Sequence, residues 1–307
     1  MSHIPNCRSC GADFSKQTIR ANFVFGGKAE HKFWQCGECE LVYLWPIPTK
    51  EEEEHFYVEE FEKYMSSRSG GDRDWSGPEA HIRTNQDQVR RRWGFLKDYL
   101  SPNKRILEIG CSSGFMLDAF KEAGLSAFGI EPSRRFLDFL KMKGHMAFAN
   151  LDELKLEIRD TKFDLIVHFF VLEHIRDATQ FFKEQLELLG PGGVIIAEVP
   201  CVSDPLTSIY KIPAFERFYW SIAHHYYFNP KSLSYILDRL ECNYRFVPEQ
   251  RYDISNHLVW MQEGKPGGQA RYSNIFSDKT VRGYAEDLKR NWKCDTFFVY
   301  LTKKIVF

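Results

Sequence analysis

The stretch Leu107-Glu108-Ile109-Gly110-Cys111-Ser112-Ser113-Gly114-Phe115, followed by Gly129-Ile130-Glu131-Pro132, constrains the fold more than any other part of the chain. It reads as a buried strand, a glycine turn, a helix and a second strand that ends in an acid. Glu131 lies 21 residues after Gly110, the distance at which an open α/β sheet presents a carboxylate to a ribose. A unit of this kind grips a nucleoside-like cofactor, which makes a cofactor enzyme the leading reading.

The turn narrows the choice of cofactor. A dinucleotide fingerprint reads G-x-G-x-x-G, its glycines letting the backbone approach a pyrophosphate. Here the turn is Gly110-x-x-x-Gly114, with Ser112 where a middle glycine is often found, and Glu108 precedes it. A carboxylate at the mouth of the turn repels a pyrophosphate and suits a ligand that carries an ammonium group. S-adenosylmethionine is such a ligand, with no phosphate. In that reading Gly110 admits the methionine portion and Glu131 accepts hydrogen bonds from both ribose hydroxyls.

Later segments fit the same plan. Phe163-Asp164-Leu165-Ile166-Val167-His168-Phe169-Phe170 is an apolar strand run, continued by Val171-Leu172-Glu173-His174-Ile175. Leu189-Gly190-Pro191-Gly192-Gly193-Val194-Ile195-Ile196 is a turn feeding another buried strand. With E-x-G-x-x-x-G at Glu108, the acid Glu131, F-D-L-I-V at Phe163, L-E-H-I at Leu172 and L-x-P-G-G at Leu189, the chain resembles the class I S-adenosylmethionine-dependent methyltransferases. The resemblance implies an α/β fold with a Rossmann-like seven-stranded sheet. It places Asn150 and Leu151 at the adenine edge, with Asn150 near the exocyclic amine. It sets Phe169 or Phe170 near the sulfonium. His174, at the carboxyl end of the fourth sheet strand, either touches the acceptor or the cofactor's methionine end, or orients its loop. The last segment, Asp295 to Lys303, is expected as an antiparallel strand beside a strand at Asn243 to Pro248.

The four N-terminal cysteines form two equal knuckles, Cys7-x-x-Cys10 and Cys36-x-x-Cys39. Strand-like runs from Gln17 to Phe25 and from His31 to Gln35, with Gly26-Gly27 between them, predict a hairpin inside the pair. Four thiolates in two C-x-x-C pairs predict a closed tetrahedral zinc site with a structural role, since protein fills every position. Cys111, Cys201, Cys242 and Cys294 have no metal spacing and read as small core residues.

After the knuckles comes Leu41-Val42-Tyr43-Leu44-Trp45-Pro46-Ile47-Pro48-Thr49, a strand running into prolines. A helix N-capped at Thr49 follows, with Phe56, Tyr57 and Phe61 on its apolar side. Ser66 to Pro78 reads as a linker or lid, and Glu79 to Leu100 as a helix. This front end resembles the zinc-ribbon methyltransferases of sugar and surface-polysaccharide pathways, of which deoxysugar C-methyltransferases are relatives. The resulting domain plan is a ribbon over 1–45, connecting helices and a lid over 46–100, and the methyltransferase domain over 101–307. Insertions that shape the acceptor site are expected near 200–230 and 250–292.

Methyl transfer from a sulfonium to a hydroxyl or carbon acid requires alignment of the acceptor and removal of a proton. The insertion after the fifth strand carries Tyr210, Phe215, Phe218, Tyr219, Trp220, His224, His225, Tyr226, Tyr227 and Phe228. In the sugar C-methyltransferases this stretch has the form E-H-x-x-Y-F, which falls by position on Ala223 to Phe228. His224 takes the histidine position, while Ala223 stands where the acid would be. The missing acid argues against C-methylation and for O-methylation with His224 as general base, because imidazole titrates near neutral pH. His174 is the second candidate, and His225 reads as an exposed or packing residue.

Lys plus Arg number 41 and Asp plus Glu 42, so no global charge draws the chain to nucleic acid. The acidic run Glu51 to Glu54 and the basic run Arg90-Arg91-Arg92 are expected as solvated helix faces. No apolar stretch reaches the ~18 residues of a membrane helix. The first residues lack a secretory pattern, and a cytoplasmic protein is expected. The leading reading is thus an O-methyltransferase for a sugar nucleotide or similar small polar precursor. The alternatives are an RNA or protein methyltransferase that recognises its substrate through the ribbon, and a cofactor-binding protein without catalysis.

Overall fold

The computed structural model describes residues 5–56, 64, 77–159 and 161–304. Near the N-terminus β1 (Gln17–Ala21) and β2 (Lys32–Cys36) pair antiparallel, and β2 pairs with β3 (Val42–Trp45). The first strand stops short of the expected Phe25, because a bulge between Ile19 and Ala21 breaks its register with β2. Thr49 starts the Lys50–His55 helix through a capping box: Glu52 N–H donates to its hydroxyl and its own N–H donates to the Glu52 carboxylate. Tyr57, Phe61 and the predicted lid up to residue 76 lie outside the described residues. The single helix expected from Glu79 to Leu100 is two, Pro78–Thr84 and Gln86–Leu96. Asn85 divides them by donating from its side-chain amide to the His81 carbonyl at 2.8 Å, satisfying a helix end that would otherwise propagate.

The apolar runs then alternate with helices, as a parallel sheet requires. They are β4 (Arg105–Ile109), β5 (Ser126–Ile130), β6 (Met146–Phe148), β7 (Phe163–Phe169) and β8 (Leu189–Pro200). The two-residue strand β9 (Tyr226–Tyr227) lies in the insertion, and β10 (Cys242–Glu249) and β11 (Thr296–Lys303) close the sheet. The seven strands run in the order β10-β11-β8-β7-β4-β5-β6. Only β11 is antiparallel, wedged between β8 and β10. The strand order reverses between β4 and β7, so ligands are expected beyond the carboxyl ends of these two strands. Helices cover both faces and bury Leu107, Ile166, Ile195, Val299, Phe182 and Phe298 completely.

The ribbon is not a separate bead on this sheet. Its fourth strand is β9, so the ribbon sheet has the order β1-β2-β3-β9. Leu44 N–H donates to the His225 carbonyl at 3.0 Å, and Phe25 is bonded to Trp220 and Ile222 through backbone. Phe33 of β2 packs its ring 5.3 Å from Trp220 and 5.2 Å from Tyr227. Residues 226–227 thus complete a sheet whose other strands all lie before residue 46.

Candidate active site

At the carboxyl end of β4 the chain turns back on itself through left-handed backbone at Gly110 (φ 71), Ser112 (φ 49) and Gly114 (φ 77). Close packing adds a second reason for glycine: a Cβ at Gly110 would lie 2.5 Å from Val171 and one at Gly114 2.4 Å from Leu140. Gly110 and Cys111 both donate to the Ile130 carbonyl, tying the turn to the end of β5. Glu131 follows directly. Its carboxylate accepts from the N–H of Ser112 and of Ser133, each at 2.8 Å. These bonds fix the carboxylate against the turn while leaving lone pairs, since an ionised carboxylate has about four acceptor sites. Burial pushes its pKa up to about 7 against the pull of those two N–H groups.

Glu108 is more deeply placed. It is 2% exposed, and one of its oxygens has no hydrogen-bond partner among the described residues. Burial raises its pKa to about 8, with the Arg92 charge opposing and Glu131 reinforcing the rise. A buried acid without a full set of partners costs free energy, and a cationic ligand group beside it removes that cost. Two acids, one held against the glycine turn by two N–H groups and one deeply buried, thus lie at this end of the sheet. Asn150 caps the Leu151–Glu157 helix by accepting from Glu153 N–H at 2.9 Å. Its place just after β6 leaves the side-chain amide nitrogen for another acceptor, with Leu151 beside it.

The Pro78–Thr84 and Gln86–Leu96 helices close over this end, through residues that no sequence motif singles out. His81 Nδ1 is 2.8 Å from the Ser113 hydroxyl, its ring 5.7 Å from Phe115. Burial lowers the His81 pKa to about 4, so it is neutral at physiological pH. The basic run departs from the solvated face expected of it. Arg90 is exposed, but Arg91 pairs with the fully buried Glu198 at 2.8 Å and Arg92 lies 3.5 Å from the same carboxylate. The Arg92 guanidinium stands 4.1 Å from the Phe169 ring centroid. Glu198 explains the difference: a carboxylate at the end of β8 draws two arginines inward. Its burial works against ionisation, yet the two arginines hold its pKa below the usual range. Arg251, paired with Asp295 at 2.7 Å, lies 4.4 Å over Phe170, whose φ of 59 turns the chain out of β7.

Beyond β7 the short turn Leu172–His174 meets the insertion. His174 Nδ1 lies 2.7 Å from the Ala223 carbonyl, which can only accept; Nδ1 therefore carries the proton, and Nε2 is the nitrogen able to act as base or ligand. The His174 and His224 rings stand edge to face, 4.8 Å apart. The Glu173, His174 and His224 donor atoms all lie within 4.8 Å of one another. The two histidines selected from sequence thus come together from different segments. They bring with them Glu173, an acid of the L-E-H-I motif that was not predicted as a site residue. His225 points elsewhere: its Nε2 meets Glu53 at 2.8 Å, where Arg176 also binds. Glu53 is accordingly drawn in from the acidic run that was expected to be solvated.

The aromatic insertion is packed from outside by the second one. Trp260, 4% exposed, lies 5.0 Å from Phe215 and 5.3 Å from Phe218. The Ile254–Glu263 helix that carries it therefore buttresses the aromatic insertion.

In the ribbon, the Cys7 and Cys39 sulfurs lie 3.5 Å apart and those of Cys10 and Cys36 3.6 Å apart. These separations are far beyond a disulfide. They are close to the ~3.8 Å edge of a tetrahedron with metal–sulfur bonds of ~2.3 Å. All four thiols fit one closed metal site.

The sheet order, the acidic pair at the switch point and the glycine turn define the class I methyltransferase architecture. The family described as "Methyltransferase domain" matches residues 81–245, more than half of the chain. The chain belongs to that family and has the class I S-adenosylmethionine-dependent methyltransferase fold. Among similar proteins, a ubiquinone biosynthesis O-methyltransferase of Nitrobacter winogradskyi is 29% identical over 97 residues, 30% of this chain and 37% of that one. A probable S-adenosylmethionine-dependent methyltransferase of Mycolicibacterium smegmatis is 30% identical over 98 residues, 31% of this chain and 37% of its own length. The chain thus spans little more than a third of these relatives' length. Among solved structures, an S-adenosylmethionine-dependent methyltransferase from Archaeoglobus fulgidus superposes with a TM-score of 0.47 at 20% identity, covering 74% of this chain and 97% of that one. No helix among the described residues is long and apolar enough to cross a membrane.

Proposed function

We propose that this protein transfers the methyl group of S-adenosylmethionine to a hydroxyl of a small polar acceptor, a sugar nucleotide or a related precursor. The observation that carries the reading is the placement of two chemically distinct ends on one sheet. Glu108, Gly110, Gly114 and Glu131 form the cofactor end, and His174 and His224 the acceptor end. The cofactor supplies an activated methyl on a sulfonium. Glu131 holds the ribose hydroxyls, and Glu108 faces the ammonium. Phe169 and Arg92 wall the space beyond β7 and exclude water. The His174–His224 face receives the acceptor, where its hydroxyl proton is removed. Oxygen as the acceptor atom is supported by Ala223, which leaves the insertion without the acid a carbon acceptor calls for, and by the O-methyltransferase named for the similar protein of Nitrobacter winogradskyi.

The four cysteines bind one structural zinc in this proposal, and through β3 and β9 that zinc holds the segment on which His224 sits. The sugar-like acceptor rests on the resemblance of the front end to sugar methyltransferases. An alternative role for the ribbon in RNA recognition lacks a basic footprint, since Arg8, Lys16, Arg20, Lys28 and Lys32 stand against Asp13, Glu30, Glu38 and Glu40. The test is co-crystallisation with S-adenosylhomocysteine and candidate sugar nucleotides. Density for an acceptor hydroxyl beside His174 and His224 supports the reading. An acceptor bound on the ribbon surface instead contradicts it.

A further inference from the structure

We infer that Glu173, His174 and His224 hold a divalent first-row transition metal at the acceptor end, and that the acceptor offers two adjacent oxygens to it. The inference rests on the proposed assignment of this end to the acceptor. Its ground is the convergence of one carboxylate and two imidazoles from separate segments, with all donor atoms within 4.8 Å of one another. Glu173 is 1% exposed and His224 8%. A cation bound through ligands at ~2.0–2.2 Å spaces its donors ~3–4 Å apart, so the cluster is within a small side-chain adjustment of binding geometry.

Backbone fixes the three positions. His225 N–H donates to the Glu173 carbonyl at 2.7 Å, His174 N–H to Val171, and His224 N–H to Ser221. The Ala223 carbonyl, 2.7 Å from His174 Nδ1, sets the tautomer in which Nε2 is the nitrogen able to ligate. A carbonyl that holds the far nitrogen of a ligating histidine is the usual supporting shell of a metal site. Two imidazoles and one carboxylate suit manganese, iron, cobalt or zinc, and a three-ligand set leaves positions open for oxygen. The cysteine cluster is the opposite case, four sulfurs and a closed shell. An acceptor with vicinal hydroxyls, or a hydroxyl beside a carbonyl, fills two open positions at once. Positive charge beside its hydroxyl favours loss of the proton to water, with the electron pair left on oxygen to attack the methyl carbon. The donor's sulfur–carbon bond then breaks with its pair retained on sulfur.

Manganese separates this site from the cysteine cluster, because thiolates favour softer metals. The experiment titrates the full-length protein with Mn²⁺ alone and follows loss of the free-ion electron paramagnetic resonance signal. Glu173→Gln and His224→Ala are titrated alongside, and S-adenosylhomocysteine calorimetry is run on all three. One Mn²⁺ per chain is expected in the wild type, with affinity reduced roughly 10–100-fold or more in both variants. Glu173→Gln keeps shape and volume, so it remains informative if His224→Ala fails to fold. Absence of Mn²⁺ binding, or equal binding in wild type and Glu173→Gln, overturns the inference. Loss of S-adenosylhomocysteine binding by the wild type contradicts the cofactor assignment instead, and the Mn²⁺ result still judges the cation site.

Discussion

The two ends of the sheet are built differently. The proposed cofactor end is local: β4, the glycine turn and β5 lie within residues 105–131, and the two hydrogen bonds that the Glu131 carboxylate accepts come from residues 112 and 133. The acceptor end is composite. His174 leaves β7, His224 comes from an insertion about fifty residues later, and β9 beside it is completed by a ribbon strand from the N-terminus. A local unit keeps its geometry whatever happens at the N-terminus. A composite one depends on each contributor.

The largest expected effect breaks the composite end from a distance. Cys36→Ser removes one thiolate from the proposed zinc site, whose metal carries on the order of 10 kcal/mol of folding free energy in small zinc domains. Metal analysis should show the zinc lost. Hydrogen exchange should show protection falling at Tyr226 and Tyr227, as well as in β1 to β3, while β4 and β5 remain protected. Equal protection at β9 in the variant and the wild type would disconnect the ribbon from the acceptor end. Direct damage comes next. His224→Ala should lower turnover by roughly 10²–10⁴-fold, the range for loss of a group that assists proton removal. A variant with unchanged turnover on the true acceptor would move the chemistry elsewhere.

The cofactor end is sharpened by pH. The Glu108 pKa is raised to about 8 in the folded chain, so the folded state binds more protons than the unfolded one once pH exceeds the ordinary value of 4.5. The penalty for burying its charge is therefore absent at low pH and destabilises the cofactor-free protein progressively as pH rises from about 4.5 through about 8. Glu108→Gln should stabilise the cofactor-free protein by on the order of a few kcal/mol at pH 8, since each tenfold change in proton affinity corresponds to ~1.4 kcal/mol. The gain should vanish near pH 4. Urea denaturation at the two pH values measures it, and a pH-independent difference would mean that Glu108 is not held against its charge.

The same contrast decides what was legible from sequence. The cofactor end is written in a continuous motif, because glycine spacing and a strand-ending acid encode local backbone. The sheet also follows from apolar runs alternating with helices. The acceptor end is readable only in part. His174 and His224 stand out as residue types, but their meeting at 4.8 Å is a product of tertiary folding. Glu173 lies inside the L-E-H-I motif, but its approach to His224 is set by tertiary folding. Arg91 and Arg92 depart from expectation because a charge run looks solvated until Glu198, 107 positions from Arg91, is placed against it. The division of the Glu79 to Leu100 helix turns on one side-chain bond from Asn85, which propensity does not register. The pairing of β3 with β9 joins two-residue segments far apart in the chain, and no short-range pattern announces it.

The central claim is that cofactor binding belongs to the local end alone, and calorimetry of S-adenosylhomocysteine binding tests it most directly. The account predicts one site per chain, with affinity weakened roughly tenfold or more by Glu131→Ala, since charge-assisted hydrogen bonds are worth ~1.5–3 kcal/mol each. The affinity of His224→Ala should match the wild type. Unchanged affinity in a folded Glu131→Ala protein, or an equal loss in His224→Ala, would contradict the division of the sheet into two ends.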